Sequence, residues 1–192
     1  MFMPKGRIRC SQITRREQLT AQQRADLSSR AQSMLVRQPW FVEAKLIALY
    51  SSIRNEVDTQ HLFEAAISLG KRIVFPRIDG DQMVFVEVES PRDFCSGTFG
   101  VLEPVGPKVV PVCCIDLIVV PGVAFDRDGF RIGFGKGYYD QALEGRPLSC
   151  RLVGLAYAFQ LDDSIPREVH DVSLDWLVTD QEVLSFDSGV NL

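Results

Sequence analysis

Long hydrophobic runs are missing from this chain. The longest uninterrupted apolar stretch, Leu117 to Phe125, has nine residues and already contains Pro121 and Gly122, well short of the roughly 20 needed to span a bilayer. No apolar block with a small-residue cleavage site opens the sequence, which passes from Met1-Phe2-Met3-Pro4 directly to Lys5, Arg7 and Arg9. A soluble, cytoplasmic protein with no membrane partner is therefore expected. Cysteine is scarce: Cys10, Cys95, Cys113, Cys114 and Cys150 are odd in number and contain no C-x-x-C. That pattern argues against a disulfide framework or a zinc ribbon and leaves buried thiols as the expectation.

What is present is ordinary globular material. The 192 residues are 46% hydrophobic and 24% charged, which fits one domain over residues 1–192 with a helical arm, residues 1–38, packed on it. Charge is uneven along the chain. Positions 1 to 37 carry eight Lys or Arg against Glu17 and Asp26, while the net charge of the whole is −4. A basic N-terminal segment could hold nucleic acid, or it could supply cations to an anionic ligand in the protein's own body. The segment lacks aromatic interleaving and any nucleic-acid-binding motif, so no nucleic-acid partner is expected.

Hydrophobic periodicity predicts a helical stretch over Pro4 to Gln38, broken near Leu19, where Thr20 and Gln23 have the spacing of a capping box. Leu27, Ala31, Met34 and Leu35 form one stripe beyond it. Lys45 to Tyr50 suits a buried strand. Asp58 is placed to cap a helix whose apolar face is Leu62, Phe63, Ala66 and Leu69, with Gly70 as its left-handed end. Arg72 to Phe75 reads as a buried strand stopped by Pro76, and Met83 to Val88 alternates as a half-exposed or edge strand would. Asp116 to Val120 is the clearest central strand. A helix begins at Tyr138, Arg151 to Ala156 is a strand, and Trp176 to Thr179 closes the pattern; Ser90 to Ile115 shows no trustworthy period. Strands alternating with helices imply an α/β protein with a mostly parallel sheet covered on both faces.

The most informative stretch is Phe125 to Asp140, which follows the strongest strand. Gly133, Gly135 and Gly137 alternate there just before a helix start, with Arg131 and Lys136 nearby. Loops after the carboxyl ends of parallel strands line the ligand crevice. Alternating glycines let backbone N–H groups approach an anion, and the helix N-terminus adds its dipole. The loop is not a Walker motif, because Phe130 and Gly137 stand where Gly and Ser or Thr would be required; Tyr138 likewise breaks G-x-G-x-x-G. Asp140 could hold Mg²⁺ against phosphates, or could simply be an acid at a helix start.

Arg131-x-Gly-x-Gly-Lys-Gly-Tyr-Tyr-Asp140 resembles the signature of the 5-formyltetrahydrofolate cyclo-ligase (methenyltetrahydrofolate synthetase) family, and the resemblance runs roughly from Lys5 to Thr179. Lys5-x-x-x-Arg9 is similar to the family's N-terminal pair that contacts ATP phosphates; at four-residue spacing the two side chains share a helix face. The segment from Ser51 to Thr59 resembles the family loop whose Glu, here Glu56, holds the folate, with Ser51 nearby. Asp171 matches a metal-associated Asp, and the adjacent His170 is not assigned as a base. Some family members carry Arg where this chain has Phe134.

The resemblance implies a three-layer Rossmann-like sandwich of the phosphosugar-isomerase and CoA-transferase type. It implies ATP- and Mg²⁺-dependent cyclisation of 5-formyltetrahydrofolate to 5,10-methenyltetrahydrofolate, with release of ADP and phosphate. ATP would be held by Lys5, Arg9 and the run Arg131, Ile132, Gly133, Phe134, Gly135, Lys136, Gly137, Tyr138 and Tyr139, with Lys136 and Arg131 acting in catalysis. Ser51 and Glu56 would bind the folate, and Asp140 and Asp171 the Mg²⁺. A monomer is expected. A rival reading is a non-catalytic nucleotide- or folate-binding relative.

Overall fold

The computed structural model describes residues 4–97 and 101–186. Met1 to Met3, three positions of the Ser90 to Ile115 stretch and the last six residues of the span expected for the domain lie outside the described residues.

The N-terminal segment forms two helices, α1 (Lys5–Glu17) and α2 (Ala21–Leu35). The break between them is the expected capping box: Thr20 Oγ1 accepts from the Gln23 N–H, and the Gln23 side chain accepts from the Thr20 N–H. A short α3 (Pro39–Glu43) leads into β1 (Leu46–Ala48), α4 (Gln60–Ser68), β2 (Arg72–Asp79) and β3 (Gln82–Val88). Next come β4 (Phe94–Ser96), β5 (Leu102–Pro104) and β6 (Val109–Val110), then β7 (Leu117–Val120). The chain continues through β8 (Ala124–Asp126), β9 (Arg131–Ile132), α5 (Tyr138–Ala142) and β10 (Arg151–Leu155). It ends with β11 (Leu161–Asp162), β12 (Trp176–Val178) and β13 (Val183–Ser185). Among the described residues no helix is long and apolar enough to cross a membrane.

The main sheet has eight strands in the order β13-β12-β10-β7-β1-β2-β3-β6. Its central pairings, β12 with β10, β10 with β7, β7 with β1 and β1 with β2, are all parallel. The outer ones are antiparallel. Alternate strand residues face opposite sides, as the two-residue pleat requires. Ile47, Ile73, Leu117, Val119 and Val153 meet Ala31, Leu35, Phe41 and Leu62 of α2, α3 and α4 on one side. Leu46, Ala48, Val74, Ile118 and Leu152 meet Phe125, Leu143 and Leu174 on the other. A small sheet, β11-β8-β9, stands beside the main one and carries Ile8 of α1 against Ala124, Ile132 and Ile165.

Several expectations need correction. Thr59, not Asp58, is the N-cap of α4, although Asp58 Oδ1 does accept from the Gln60 N–H at 2.6 Å. Leu69 is exposed because it follows the helix instead of sharing its buried face. Pro76 does not end β2: β1 pairs with β2 only as far as Val74, so beyond it a residue without an N–H costs no bond to that strand. β3 is not an edge, because β6 covers it, and β13 extends the sheet past the expected last strand. The thiols are mostly outside: Cys150 is buried, but Cys10, Cys95, Cys113 and Cys114 are exposed, lying on a helix flank or in short surface elements.

Candidate active site

From β1 the sheet grows to one side through β2 and to the other through β7, so strand order reverses between β1 and β7. At such a switch point the loops leaving adjacent carboxyl ends part and open a crevice, where ligands of parallel α/β sheets bind. A cleft of about 1360 Å³ lies there, lined by Tyr50 and Ser51 after β1 and by Pro121 and Gly122 after β7. That volume suits two sizeable ligands.

The glycine loop, residues 133–137, forms one wall between β9 and α5. Gly135 and Gly137 have φ of +96° and +69°, where a Cβ is disfavoured, and Gly137 is the N-cap of α5. Gly133 has ordinary backbone, yet a Cβ built on it meets no atom within 4 Å and would stand in the open cleft. Lys136 is exposed and lines the cleft. Arg131 also lines it, but its guanidinium already donates to Asp140 Oδ1 at 2.9 Å and to the Val172 carbonyl at 3.1 Å. Ile132 is buried on the small sheet, Phe134 is partly exposed, and Tyr138 and Tyr139 open α5 against the cleft.

The opposite wall comes from α1. Arg9 reaches across to donate from Nε to the Gly133 carbonyl at 2.8 Å, and its guanidinium covers Gly135. One turn earlier, Lys5 Nζ donates to Asp171 Oδ2 at 2.8 Å and lies 3.1 Å from Glu168 Oε1. Burial lowers the Lys5 pKa, but the bonds to Asp171 and Glu168 outweigh it and the net shift is upward. Burial raises Asp171 in turn, and the Lys5 and Glu168 N–H donors more than reverse it, holding the carboxyl below its usual range. His170 is exposed and pairs with Glu168. The segment bearing Asp171 is tied down by Asp126, wholly buried, which accepts from the N–H groups of Asp128, Phe130 and Ile165 and from Arg167.

Among the described residues no group of three or more His, Cys, Asp or Glu side chains forms a metal cage. Asp140 Oδ1 and Asp171 Oδ2 are occupied by the donors above. Among the described residues no hydrogen bond takes the other oxygen of either carboxylate, and the two are joined through Val172, next to Asp171, whose N–H donates to Asp140 at 3.4 Å. This donor set fits Mg²⁺ shared with phosphates and water, since Mg²⁺ commonly takes only one or two protein carboxylates.

Glu56 also lines the cleft and is 5% exposed. Its Oε2 accepts from the Ile53 N–H at 3.1 Å, while Oε1 has no hydrogen-bond partner and lies 3.6 Å from Arg16 Nη1. Burial pushes Glu56 up to about 7 against the opposing pull of Arg16 and the Ile53 N–H. The loop is held in shape by successive left-handed residues, Arg54 and Asn55. Asn55 accepts from Arg24 at 2.5 Å and donates to the Arg16 carbonyl at 3.2 Å. Ser51 lines the cleft too, but its hydroxyl donates to the Leu102 carbonyl at 2.6 Å. Glu56 Oε1 is thus turned to Arg16 behind the wall, and the carboxyl as a whole borders the cleft.

The arrangement is therefore one cleft that joins a glycine loop and its cations to a buried carboxyl and several tyrosines. The sequence profile of the 5-formyltetrahydrofolate cyclo-ligase family matches residues 3–180. The chain belongs to that family, which is a family of enzymes. It is 30% identical over 175 residues to the 5-formyltetrahydrofolate cyclo-ligase of Escherichia coli K12, covering 88% of this chain and 96% of that protein. It is 34% identical over 139 residues to the Mycoplasma pneumoniae enzyme of the same name, covering 71% and 74%. The solution structure of Aquifex aeolicus 5,10-methenyltetrahydrofolate synthetase superimposes with a TM-score of 0.88 at 37% identity, over 99% of this chain and 96% of that one.

Arg16 and Gln12, buried behind the cleft wall, were not singled out in the sequence, though a signal existed. Ile8, Gln12 and Arg16 follow one another at four-residue spacing and are the buried stripe of α1. A cation on a buried stripe requires a buried partner. Glu168, which shares Lys5 with Asp171, carried no such signal.

Proposed function

We propose that this protein uses ATP and Mg²⁺ to cyclise 5-formyltetrahydrofolate to 5,10-methenyltetrahydrofolate, releasing ADP and phosphate. The observation that carries the reading is the buried carboxyl of Glu56, set in the wall of the same cleft as the glycine loop. A pteridine presents adjacent N–H donors along one edge, which a carboxylate can accept as a pair. The Lys5, Arg9 and Lys136 cations suit a triphosphate, with backbone N–H groups of residues 133–137 completing the cradle.

Asp140 and Asp171 would hold Mg²⁺, which when bound supplies charge neutralisation on the phosphates. Arg131 keeps Asp140 aimed at the cleft, and Lys5 does the same for Asp171 until a phosphate competes for its ammonium. The formyl oxygen attacks the γ-phosphorus and ADP leaves; the other folate nitrogen then bonds the formyl carbon, the carbon–oxygen bond to phosphate breaks, and the nitrogen's proton leaves with the phosphate. No protein nucleophile is needed. Positioning of two substrates and screening of charge account for the chemistry, so the residues act by holding their ligands in line. On this reading the sheet is a Rossmann-like three-layer sandwich of the phosphosugar-isomerase and CoA-transferase type, one domain in extent, supported by its switch-point cleft.

Calorimetric titration tests the shared cleft. Mg·ATP and 5-formyltetrahydrofolate should each bind. Glu56→Gln should weaken the folate alone, and Lys136→Ala the nucleotide alone. Loss of neither ligand in either variant would refute the assignment.

A further inference from the structure

Among the described residues, the buried atoms Gln12 Oε1, Arg16 Nε and Nη2, and Glu56 Oε1 have no hydrogen-bond partner, and of these residues Glu56 lines the cleft. The Arg16 side chain is wholly buried, so it cannot itself touch a ligand in the cleft. Its guanidinium hydrogen bond runs from Nη1 to the Gly122 carbonyl at a long 3.4 Å. Its charged partner among the described residues is Glu56, 3.6 Å away. A guanidinium with five donors would ordinarily satisfy most of them when buried. Here it stands beside an ionisable carboxyl that lines the cleft, and its far face lies 5.7 Å from the Phe134 ring of the glycine loop. Its backbone carbonyl also accepts from Asn55, the residue before Glu56.

We propose that Arg16 is a positioning residue for folate recognition: from behind the pocket wall it anchors the Glu56 carboxyl through Oε1 and favours its ionised form, so that the carboxylate can meet the pteridine edge. This rests on the reading that Glu56 binds the folate ring. The other groups facing Glu56 do not supply this. Tyr50 from the end of β1 and Tyr139 from α5 are neutral phenols, each pushed upward first by burial and then by the Glu56 charge itself. Tyr157 donates only to the Glu56 backbone carbonyl, at 3.2 Å, and the Ile53 N–H bonds only Oε2. Among the described residues it is Arg16 that brings a full positive charge to Glu56, opposing the burial that favours the neutral acid.

Carboxyl-carbon NMR titration reads the linkage directly, with the Glu56 signal identified by its absence in Glu56→Gln. In Arg16→Gln the Glu56 midpoint should rise by about one pH unit or more, since an opposite charge at this range shifts a carboxyl by roughly 1 to 3 units. Arg16→Lys, which keeps charge but not the planar fork, should fall between that variant and the parent. An unmoved midpoint in both overturns the proposal. In the unsubstituted protein the Arg16 Nε signal should move with the Glu56 midpoint, which reads the linkage even where the substitutions prevent folding; an Arg16 signal flat across that range overturns it. At neutral pH the KM for 5-formyltetrahydrofolate should rise at least about fivefold in Arg16→Gln, the loss of ionised Glu56 that a one-unit rise from about 7 brings, with the ATP KM within about twofold. Equal rises in both would mark Arg16 as merely structural. If the unsubstituted protein binds no 5-formyltetrahydrofolate, the functional reading fails, and the folate half of this proposal with it, while the titration still decides whether Arg16 governs Glu56.

Discussion

Arg131 and Asp140 are joined across the base of the glycine loop. Nη2 of the residue that enters it donates at 2.9 Å to Oδ1 of the residue on the helix that leaves it. The pair fixes the width of the cradle and leaves Asp140 aimed at the cleft, while the Arg131 side chain remains nearly inaccessible. Removing one partner of such a pair leaves an uncompensated charge, at a cost on the order of 3 kcal/mol. Arg131→Ala should therefore lower the thermal midpoint as well as activity. Asp140→Ala should lose turnover and lower the thermal midpoint further, because it leaves the nearly inaccessible Arg131 guanidinium without its carboxylate, whereas Arg131→Ala leaves a carboxylate that is a quarter exposed. Differential scanning calorimetry beside initial rates separates the two.

The glycines of the loop should differ in kind. At Gly133 a Cβ meets nothing and the backbone is ordinary, so Gly133→Ala should fold normally and weaken ATP binding by occupying the cleft. At Gly135 the φ of +96° and the Arg9 guanidinium 3.3 Å from the built Cβ penalise any side chain. Gly135→Ala should cost about 1 kcal/mol or more of stability in addition. Urea denaturation and ATP calorimetry on both variants check the contrast.

Glu56 makes stability depend on pH in an unusual direction. Its carboxyl is raised from 4.5 to about 7, so the folded state favours the protonated form. That contribution is present in full below about 4.5 and is lost as pH rises through 7. Denaturation curves of the parent protein should show this loss between about pH 5 and 8, and Glu56→Gln should lack it. The difference corresponds to at most about 3 kcal/mol.

The N-terminal clamp is tested by Lys5→Ala. Lys5 now holds Asp171 and Glu168 and should exchange them for a phosphate when ATP enters. A hydrogen bond to a charged group is worth about 1.5 to 3 kcal/mol. The ATP KM should therefore rise roughly tenfold or more, with the folate KM little changed. Equal effects on both substrates would count against the clamp.

Local rules explain what was legible in the sequence. The capping box at Thr20 and Gln23, the left-handed Gly70 and the helix opening at Tyr138 depend on neighbours in the chain, and each lies where the pattern put it. The apolar run from Leu117 to Val120 could only be a central strand, and it is. The failures involve partners distant in sequence. Whether Pro76 breaks a strand depends on how far β1 extends beside it. The exposure of Cys113 and Cys114 depends on a short helical turn that no period announces. In the site, the stretch from Gly133 to Asp140 stood out because alternating glycines beside Arg131 and Lys136 precede a helix start, and two of those glycines are left-handed. Arg16 was hidden in a basic run whose other members, such as Arg15, sit at the surface and donate outward to the Phe159 carbonyl.

Appearance of methenyl-folate absorbance in a mixture of the protein, Mg²⁺, ATP and 5-formyltetrahydrofolate measures the central claim. The account predicts a rise that requires every component, is matched by phosphate release, and disappears in Asp140→Ala. A flat trace from folded protein that binds both ligands, or a rise that proceeds equally well without ATP, would contradict it.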